Sequence, residues 1–326
     1  MSDITMVAAQ AVNARRRIRK HIYETPLIPS KRVGAETGGD LYFKAENFQR
    51  TGSFKIRGAV SKMTALENPP EMITASSGNH GIACALAATT LDRALTVVLP
   101  ETVAQTKLDH IRAYGVDVIL NGAEPGLAER HAQRLAAERD DLIYVSPYND
   151  WDVVAGQGTI GLELLEQAER IDNVFISMGG GGLIGGIGAV LKSFSPHTKI
   201  FGIAAENSAA FAASLDAGRI VETEHLATLA DGVAGGVDEG SLTLPLGMEV
   251  VDQVVTCNED EIADSLLMLA SKEHQLVEGA AALALAGFRK VSRQIEDQVS
   301  VVLLCGSNYD EAAIFSMITD SRHVSA

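Results

Sequence analysis

Short apolar runs alternate along this chain with longer segments of helical periodicity, and this alternation is the strongest constraint on its fold. Strands that are apolar throughout and separated by helices are typical of parallel sheets covered on both faces. The sequence therefore predicts an α/β fold with open, parallel-rich sheets flanked by helices. The predicted strands are 41–45, 94–99, 116–120, 142–145, 173–178, 199–205 and 299–304, and helical patterns occupy 102–114, 125–139, 152–169 and 258–271.

A local break at Asn68-Pro69-Pro70 divides this alternation. The chain has 326 residues, which is enough for two domains of ordinary size. We therefore predict a small domain over 68–146, inserted into a large domain built from 1–67 and 147–326.

Composition excludes several classes of protein. The formal net charge of −15 disfavours a nucleic-acid or anionic-lipid partner. The sequence contains no apolar run of the ~20 residues that span a bilayer, and its N-terminus lacks the apolar core of a signal peptide. Cys84, Cys257 and Cys305 are far apart and odd in number, which argues against a disulfide framework or a structural zinc site. A cytoplasmic protein fits best.

A run of four glycines follows the predicted strand 173–178 and opens a helix: Gly179, Gly180, Gly181 and Gly182, with Leu183 next. Glycine lets the backbone approach an anion closely, and the free N–H groups of the first helical turn then point at it. The run predicts a phosphate cradle. Gly180, Gly182 and Gly185 also satisfy the dinucleotide pattern G-x-G-x-x-G, and a turn of this kind can serve tight packing alone.

Lys55 lies next to Phe54 in the segment Thr51-Gly52-Ser53-Phe54-Lys55-Ile56-Arg57-Gly58. An ordinary lysine is a solvated surface charge. A lysine buried near a phosphate or an apolar wall has a lowered pKa and becomes a nucleophile for aldehydes. Phe54 alone is equally well explained by core packing.

Two further segments follow apolar runs. Ser76, Ser77, Gly78, Asn79 and His80 come after the run 72–75 and before the helical stretch 82–91, and their hydroxyl and N–H groups suit a carboxylate. A simple helix cap explains them as well. Cys305-Gly306-Ser307-Asn308 ends the last strong strand, where open α/β sheets bind ligands.

Together and in this order, these four segments resemble the fold-type II enzymes that use pyridoxal phosphate (PLP), of which the tryptophan synthase β-subunit is one. More narrowly, they are similar to the serine/threonine dehydratase and serine racemase family. The likeness runs from Thr25-Pro26-Leu27 to Cys305 and includes Gly156-Gln157-Gly158-Thr159. It implies a catalytic unit without an appended regulatory domain, acting on a small amino acid as a homodimer.

The resemblance also implies roles for single residues. Lys55 would hold PLP as a Schiff base, with Phe54 against the cofactor. Asn79 would bond the ring hydroxyl, Cys305 would face the pyridine nitrogen, and the backbone from Gly179 to Leu183 would hold the phosphate. The loop from Ser76 through Ser77, Gly78 and Asn79 to His80 would bind the substrate carboxylate. The reaction expected is loss of the β-hydroxyl and amino groups from L-threonine or L-serine, which gives a 2-oxo acid and ammonia.

Three positions qualify this expectation. Ser77 resembles the serine that racemases place opposite the lysine, although it could equally support the carboxylate loop. Glu206 resembles the first acidic ligand of the divalent-metal site in serine racemases, but the second would fall at Ala212, which offers no oxygen ligand. Glu278 matches a family glutamate that we expect just behind the residues in contact with the ligand.

Several alternatives remain open at this stage. Segments 229–237 and 240–246 are similar to a side branch that includes hydroxyectoine-utilisation and phenylserine dehydratases. A hydroxyaspartate dehydratase would need an extra cation, and the sequence identifies none. A nucleotide-dependent oxidoreductase would leave Lys55 and the Ser76–His80 segment unexplained. A ligand-sensing protein would not need the lysine, the asparagine and the glycines together.

Overall fold

The computed structural model describes residues 3–67 and 70–309. Within these ranges ten strands form two sheets, and nearly all neighbouring strands are parallel. In chain order they are β1 (Leu27–Pro29), β2 (Asp40–Lys44), β3 (Glu71–Ala75), β4 (Leu95–Leu99), β5 (Asp117–Leu120), β6 (Leu142–Tyr144), β7 (Asn173–Ser177), β8 (Lys199–Ala205), β9 (Gln253–Cys257) and β10 (Val299–Leu303).

The larger sheet has six strands in the order β1-β2-β10-β7-β8-β9, and only the β1–β2 pair is antiparallel. The smaller sheet has four parallel strands in the order β5-β4-β3-β6. The predicted α/β class with parallel-rich sheets is therefore confirmed.

Helices cover the sheets, and side-chain caps fix where two of them begin. The Asp150 carboxylate accepts hydrogen bonds from the backbone of Asp152 and Val153 at the start of α7, and Asn258 and Glu261 form a reciprocal capping box at the start of α11. None of the helices in the described part of the chain is long and apolar enough to cross a membrane. The helices are α1 (Asp3–Ile18), α2 (Val33–Thr37), α3 (Lys55–Ala65), α4 (Asn79–Leu91), α5 (Gln105–Arg112), α6 (Pro125–Glu138), α7 (Trp151–Gln167), α8 (Gly182–Phe194), α9 (Ala210–Ala217), α10 (Thr243–Val250), α11 (Glu259–Met268), which continues as a π-helical turn at Leu269–Glu273, and α12 (Gly279–Val291).

All seven strands predicted from the sequence are present, with ends that differ by at most one residue. Strand β3 was expected only as the apolar run 72–75, and β1 and β9 were not predicted. Strand β1 has three residues and contains a proline, and β9 lies at an edge of its sheet with three of five side chains exposed. Neither therefore shows the continuous apolar run of a buried parallel strand.

The two sheets divide the chain at the places where we expected two domains. The four-stranded sheet is built from 71–144, and every other strand belongs to the six-stranded sheet. Asn68 and Pro69, on which the first boundary was placed, lie outside the described residues. The division into domains stays a prediction.

Close packing of α7 against α8 sets the position of the glycine run. A β-carbon on Gly186 would lie 2.4 Å from the carbonyl oxygen of Val154, and one on Gly161 would lie 2.9 Å from Val190. Only glycine therefore lets the two helices approach this closely. Strand β7, buried along its whole length, leads directly into the glycine run before α8.

Candidate active site

A pocket lies where the carboxyl ends of strands from both sheets meet. The glycine run follows β7, Cys305 follows β10, and Pro147 and Tyr148 follow β6. The beginnings of α3 and α4 supply Lys55 and Asn79. Ligands of open α/β sheets bind at this edge. Among the residues that we singled out from the sequence, the lining includes Phe54, Lys55, Asn79, Gly179, Gly180, Gly181, Gly182, Leu183, Glu278 and Cys305.

Lys55 is the first residue of α3, and its side chain points into this pocket. Its Nζ donates a hydrogen bond to the carbonyl oxygen of Pro147 at 2.9 Å and lies 5.3 Å from the centre of the Phe54 ring. Burial lowers the pKa of the Lys55 amine to about 8. A larger fraction of this amine is therefore neutral near physiological pH than in an ordinary lysine, as a nucleophile for an aldehyde requires.

The glycine run has no room for side chains. Gly181 has a φ of +84°, in the left-handed region that favours glycine. A β-carbon on Gly180 would lie 2.4 Å from the Tyr148 ring, and one on Gly181 would lie 2.3 Å from the Phe211 ring. Helix α8 begins at Gly182, so the N–H groups of its first turn have no partner inside the helix. The run therefore offers bare backbone donors to an anion.

A bonded group, which we call the pocket cluster, consists of Asn79, Glu278, Cys305 and Asn308. Glu278 and Cys305 are buried, Asn79 is half-buried and Asn308 is exposed. Asn79 Nδ2 donates to both carboxyl oxygens of Glu278 at 2.9 Å, and Asn308 Nδ2 donates to Asn79 Oδ1 at 2.6 Å. These bonds fix which end of the Asn79 amide is the donor. Glu278 therefore holds Asn79 directly.

Burial also governs ionisation in the pocket cluster. It raises the pKa of Glu278 to about 7, although the Asn79 hydrogen bonds oppose the shift. It raises the pKa of the Cys305 thiol well above its usual value, and the nearby Glu278 carboxyl, 3.9 Å from Sγ, adds to this. Cys305 is consequently a neutral thiol at physiological pH.

The segment that we expected to bind a carboxylate connects β3 to α4. Ser76, Ser77 and Gly78 form the loop, and none of them, nor His80, belongs to the described lining of the pocket. The backbone N–H of Gly78 donates to Ser76 Oγ at 3.2 Å. A β-carbon on Gly81 would lie 1.9 Å from the carbonyl oxygen of Ser76, so the loop folds closely over the helix start.

The His80 side chain faces the protein interior. Its Nε2 lies 2.9 Å from the carbonyl oxygen of Val145, which makes Nε2 the protonated donor. Burial and the Lys55 charge lower the pKa of His80 to about 3, so the ring is neutral. Any contact between His80 and a ligand in the pocket would therefore use its backbone.

Glu206 is exposed directly after β8 and is not among the residues that line the pocket. Its backbone N–H donates to the carbonyl oxygen of Cys257 at 2.8 Å. Across the described ranges, no group of three or more histidine, cysteine or acidic side chains could hold a metal ion. Glu206 is therefore not part of such a group there.

Sequence reasoning missed Tyr148 and Asn308. The Tyr148 ring packs over Gly180, and its hydroxyl accepts a hydrogen bond from the backbone of Asp238 at 2.9 Å. The available signal was the turn-rich segment Ser146-Pro147-Tyr148-Asn149-Asp150 directly after a predicted strand. Asn308 belongs to the motif Cys305-Gly306-Ser307-Asn308, which predicted no role for it, yet its amide donates a hydrogen bond to Asn79.

Another group, which we call the ion network, is buried throughout and consists of Lys44, Glu46, Arg57 and Glu163. The Arg57 guanidinium donates to both oxygens of Glu46 at 2.8 Å and to those of Glu163 at 2.6 and 2.8 Å. Lys44 Nζ donates to Glu163 at 2.5 Å. Burial would raise the pKa of Glu46, but Arg57 holds it below its usual value. Glu46 is therefore ionised and paired, and Glu163 is bonded to both Arg57 and Lys44.

Comparison with known proteins identifies relatives that cover nearly the whole chain. The chain is 38% identical over 300 residues to the L-threonine ammonia-lyase of Thermotoga maritima, which covers 91% of this chain and 74% of that protein. It is 34% identical to the catabolic L-threonine dehydratase of Escherichia coli, with 97% of both chains covered. The L-threo-3-hydroxyaspartate ammonia-lyase of Saccharomyces cerevisiae is 34% identical, with 94% of this chain and 95% of that protein covered.

Solved structures show the same relationship. The processed form of tomato (Solanum lycopersicum) threonine deaminase isoform 2 matches with a TM-score of 0.91 at 33% identity, covering 97% of this chain and 88% of that one. Maize serine racemase matches with a TM-score of 0.87 at 29% identity, covering 98% and 99%. The family model described as pyridoxal-phosphate dependent enzyme matches residues 18–306. The chain therefore belongs to the family of pyridoxal-phosphate dependent enzymes.

Proposed function

We propose that this protein is an ammonia-lyase that removes water and then ammonia from a small β-hydroxy amino acid such as L-threonine or L-serine. The observation that carries the proposal is the convergence of Lys55, the glycine run, Asn79 and Cys305 in one pocket. Membership in the family supplies the cofactor, and relatives named as threonine ammonia-lyases or dehydratases support the reaction.

The residues around the pocket fit PLP. Lys55 offers an amine of lowered pKa for the aldehyde, and the backbone from Gly179 to Leu183 offers donors for the phosphate. Asn79, held by Glu278, would bond the ring hydroxyl, and Phe54 would lie against the ring. Cys305 would face the pyridine nitrogen. When bound, the cofactor supplies an electron sink for the bonding pair left behind at Cα.

Lys55 is the proton carrier that we propose for the reaction. Its Nζ would take the α-proton, since a base with a pKa near 8 is well matched to neutral pH. Loss of that proton and the β-hydroxyl removes one water. Hydrolysis of the released enamine consumes one water and gives the 2-oxo acid and ammonia.

Cys305 would influence this chemistry because its neutral thiol stabilises a protonated pyridine nitrogen only weakly. A carboxylate beside the pyridine nitrogen would stabilise its protonated form, whereas a neutral thiol does so far less. Since the pKa of Cys305 is raised by burial, we expect the weaker sink. A weaker sink favours prompt loss of the β-substituent over transamination.

The loop formed by Ser76, Ser77 and Gly78 would bind the substrate carboxylate through its hydroxyl and N–H groups at the start of α4. Ser77 also supports a second candidate, a racemase, because maize serine racemase shares the fold at 29% identity. A Ser77 hydroxyl that reprotonates Cα would make D-serine from L-serine. Product chirality with the wild type and Ser77→Ala separates this role from a purely structural one.

Replacement of Lys55 by alanine tests the proposed function. We expect the wild type purified with PLP to absorb in the near-visible range and to release ammonia from L-threonine or another β-hydroxy amino acid. Lys55→Ala should lose both the band and the turnover. Lys107→Ala removes an exposed lysine on α5 and should keep both. If Lys55→Ala retains the band together with turnover, the proposal is wrong.

We further propose that the enzyme is a cytoplasmic homodimer whose domains divide at about residues 67 and 146. The three cysteines are free and buried, which suits a reducing compartment. The resemblance to the dehydratase and racemase family supports the dimer. Light scattering during size-exclusion chromatography measures the assembly directly, and a mass near 34.5 kDa would contradict it.

A further inference from the structure

A buried threonine bonds the glycine run from outside the pocket. Thr243 is the first residue of α10, is fully buried and is not among the residues that line the pocket. Its Oγ1 donates a hydrogen bond to the carbonyl oxygen of Gly180 at 2.7 Å. This bond joins α10, which the proposed function does not use, to the middle of the glycine run.

The Ser241 hydroxyl orients the hydroxyl of Thr243. Ser241 Oγ lies 2.7 Å from Thr243 Oγ1 and accepts from the Thr243 backbone N–H at 3.3 Å. A carbonyl oxygen only accepts, so the single hydroxyl proton of Thr243 goes to Gly180. Ser241 therefore donates to Thr243 Oγ1, and the two buried hydroxyls form one chain of hydrogen bonds that ends on the Gly180 carbonyl.

Holding the Gly180 carbonyl also orients the N–H of Gly181, because both groups belong to one peptide unit. In a planar trans unit the C=O and N–H bonds point in opposite directions. The Gly181 N–H is therefore directed away from Thr243. The N–H of Gly182 is oriented in a similar way by α8, in which the Gly185 N–H bonds the Gly181 carbonyl at 2.9 Å.

The glycine run alone does not fix the peptide unit between Gly180 and Gly181. Both flanking residues are glycines, and Gly181 has a φ of +84°, so no β-carbon opposes rotation of the unit. A rotated unit would present the Gly180 carbonyl oxygen in place of the Gly181 N–H, and an anion would then meet an acceptor instead of a donor. The Thr243 hydroxyl stabilises the orientation that presents the donor.

We propose that Thr243 is a positioning residue for the phosphate cradle that the glycine run forms. Its hydroxyl holds the peptide unit between Gly180 and Gly181 so that the Gly181 N–H faces the cofactor phosphate, and Ser241 orients that hydroxyl. This inference rests on the proposed function. It assigns a role in cofactor binding to two residues outside the described lining of the pocket.

Removal of the hydroxyl tests the proposal on cofactor binding. Thr243→Val keeps the shape of the side chain and removes the donor. In absorbance titrations of the cofactor-free protein, we expect its dissociation constant for PLP to rise at least about tenfold. Its affinity for pyridoxal, which lacks the phosphate, should change less than about threefold, because the groups around the ring are retained.

Two further variants separate the hydroxyl from its packing. Thr243→Ser keeps the donor and should bind PLP within about threefold of the wild type. Thr37→Val removes a hydroxyl that bonds backbone carbonyls within α2, and it should bind both ligands as the wild type does. Three results would each overturn the proposal: unchanged PLP binding in Thr243→Val, an equal loss for PLP and pyridoxal, or a loss in Thr243→Ser as large as in Thr243→Val.

A second site keeps the test decisive if Thr243→Val does not fold. Ser241→Ala removes the hydroxyl that orients Thr243, so its PLP affinity should fall at least about threefold while its pyridoxal affinity is unchanged. Absence of this selective loss would then overturn the proposal.

Comparison with the wild type separates this inference from the proposed function. A wild type that forms the PLP band and releases ammonia, together with Thr243→Val of unchanged PLP affinity, would refute the role of Thr243 and leave the lyase standing. A wild type that binds no PLP would overturn both.

Discussion

The ion network and the pocket cluster both contain buried carboxyl groups, but they differ in how those carboxyl groups are paired. In the ion network, two carboxylates are matched by Arg57 and Lys44 through short hydrogen bonds. In the pocket cluster, Glu278 receives hydrogen bonds only from neutral groups in the described structure, and its pKa rises to about 7. Buried carboxylates are therefore paired with cationic side chains in the ion network, whereas the buried carboxyl group of the pocket cluster is not.

Two lysines show the same difference. Lys44 donates to Glu163, to the Thr25 carbonyl and to Gln167, whereas Lys55 donates to one carbonyl, that of Pro147. Burial lowers the pKa of both amines, but only Lys44 has a carboxylate bonded to it that opposes the shift directly. Incomplete compensation is what gives Lys55 its reactivity, as is typical of functional sites.

The largest expected effect comes from breaking the ion network. Arg57→Met leaves Glu46 and Glu163 without their shared partner, and we expect the free energy of unfolding to fall by about 3 to 5 kcal/mol. Urea denaturation of the cofactor-free protein measures it. Arg134→Met breaks an exposed pair with Glu138 and should cost under about 1 kcal/mol. Similar losses in both variants would show that the buried ion network contributes no more to stability than an exposed ion pair.

The next largest expected effect is a pH dependence of the free energy of unfolding, caused by Glu278. Its folded pKa of about 7 exceeds its ordinary value of 4.5, so the folded protein holds a proton that the unfolded chain has released between these two values. The stability that Glu278 contributes is present below pH 4.5 and is lost as the pH rises to 7, by about 2 to 3 kcal/mol.

Glu278→Gln should remove that loss. Chemical denaturation of the cofactor-free variant at pH 5 and pH 8 should show a smaller decline than the wild type. Glu71→Gln, which removes an exposed carboxylate, should decline as the wild type does. A parallel decline in wild type and Glu278→Gln would mean that this carboxyl ionises normally.

The smallest expected effect is an increase in the free energy of unfolding. Lys55→Met removes a buried amine that lacks a bonded carboxylate, so we expect the cofactor-free protein to gain about 1 to 2 kcal/mol at pH 7 while losing the cofactor band. Lys44→Met should instead destabilise it. A loss of stability in both variants would contradict the comparison between the two lysines.

The sequence predicted the layers of the fold better than their edges. The strands β7, β8 and β10 are mostly apolar and almost wholly buried, and a nearly continuous apolar run of this kind can be recognised without a structure. The edge strand β9 has both exposed and buried side chains, so its sequence lacks a continuous apolar run. The short antiparallel β1 depends on pairing with β2, which is a tertiary contact.

At the candidate active site, sequence motifs identified several of the residues but did not predict their hydrogen-bond partners. Lys55, Asn79 and the glycine run were found because each stands in a distinctive local pattern. The contact of Glu278 with Asn79 joins residues 199 positions apart, and the inward orientation of His80 depends on Val145, which directly follows β6. Such pairings follow from how the sheets meet, which the linear sequence does not encode locally.

The segment from Tyr144 to Asp150 connects the two halves of the molecule, and five of its contacts are made by five different residues. Tyr144 bonds Glu129, Pro147 accepts from Lys55, Tyr148 covers Gly180, Asn149 holds the backbone of Leu242, and Asp150 caps α7. Any rotation of the smaller sheet would pull on all five contacts together. The position of α6, the hydrogen bond of Lys55 and the packing over Gly180 are thus linked through one short segment of the chain.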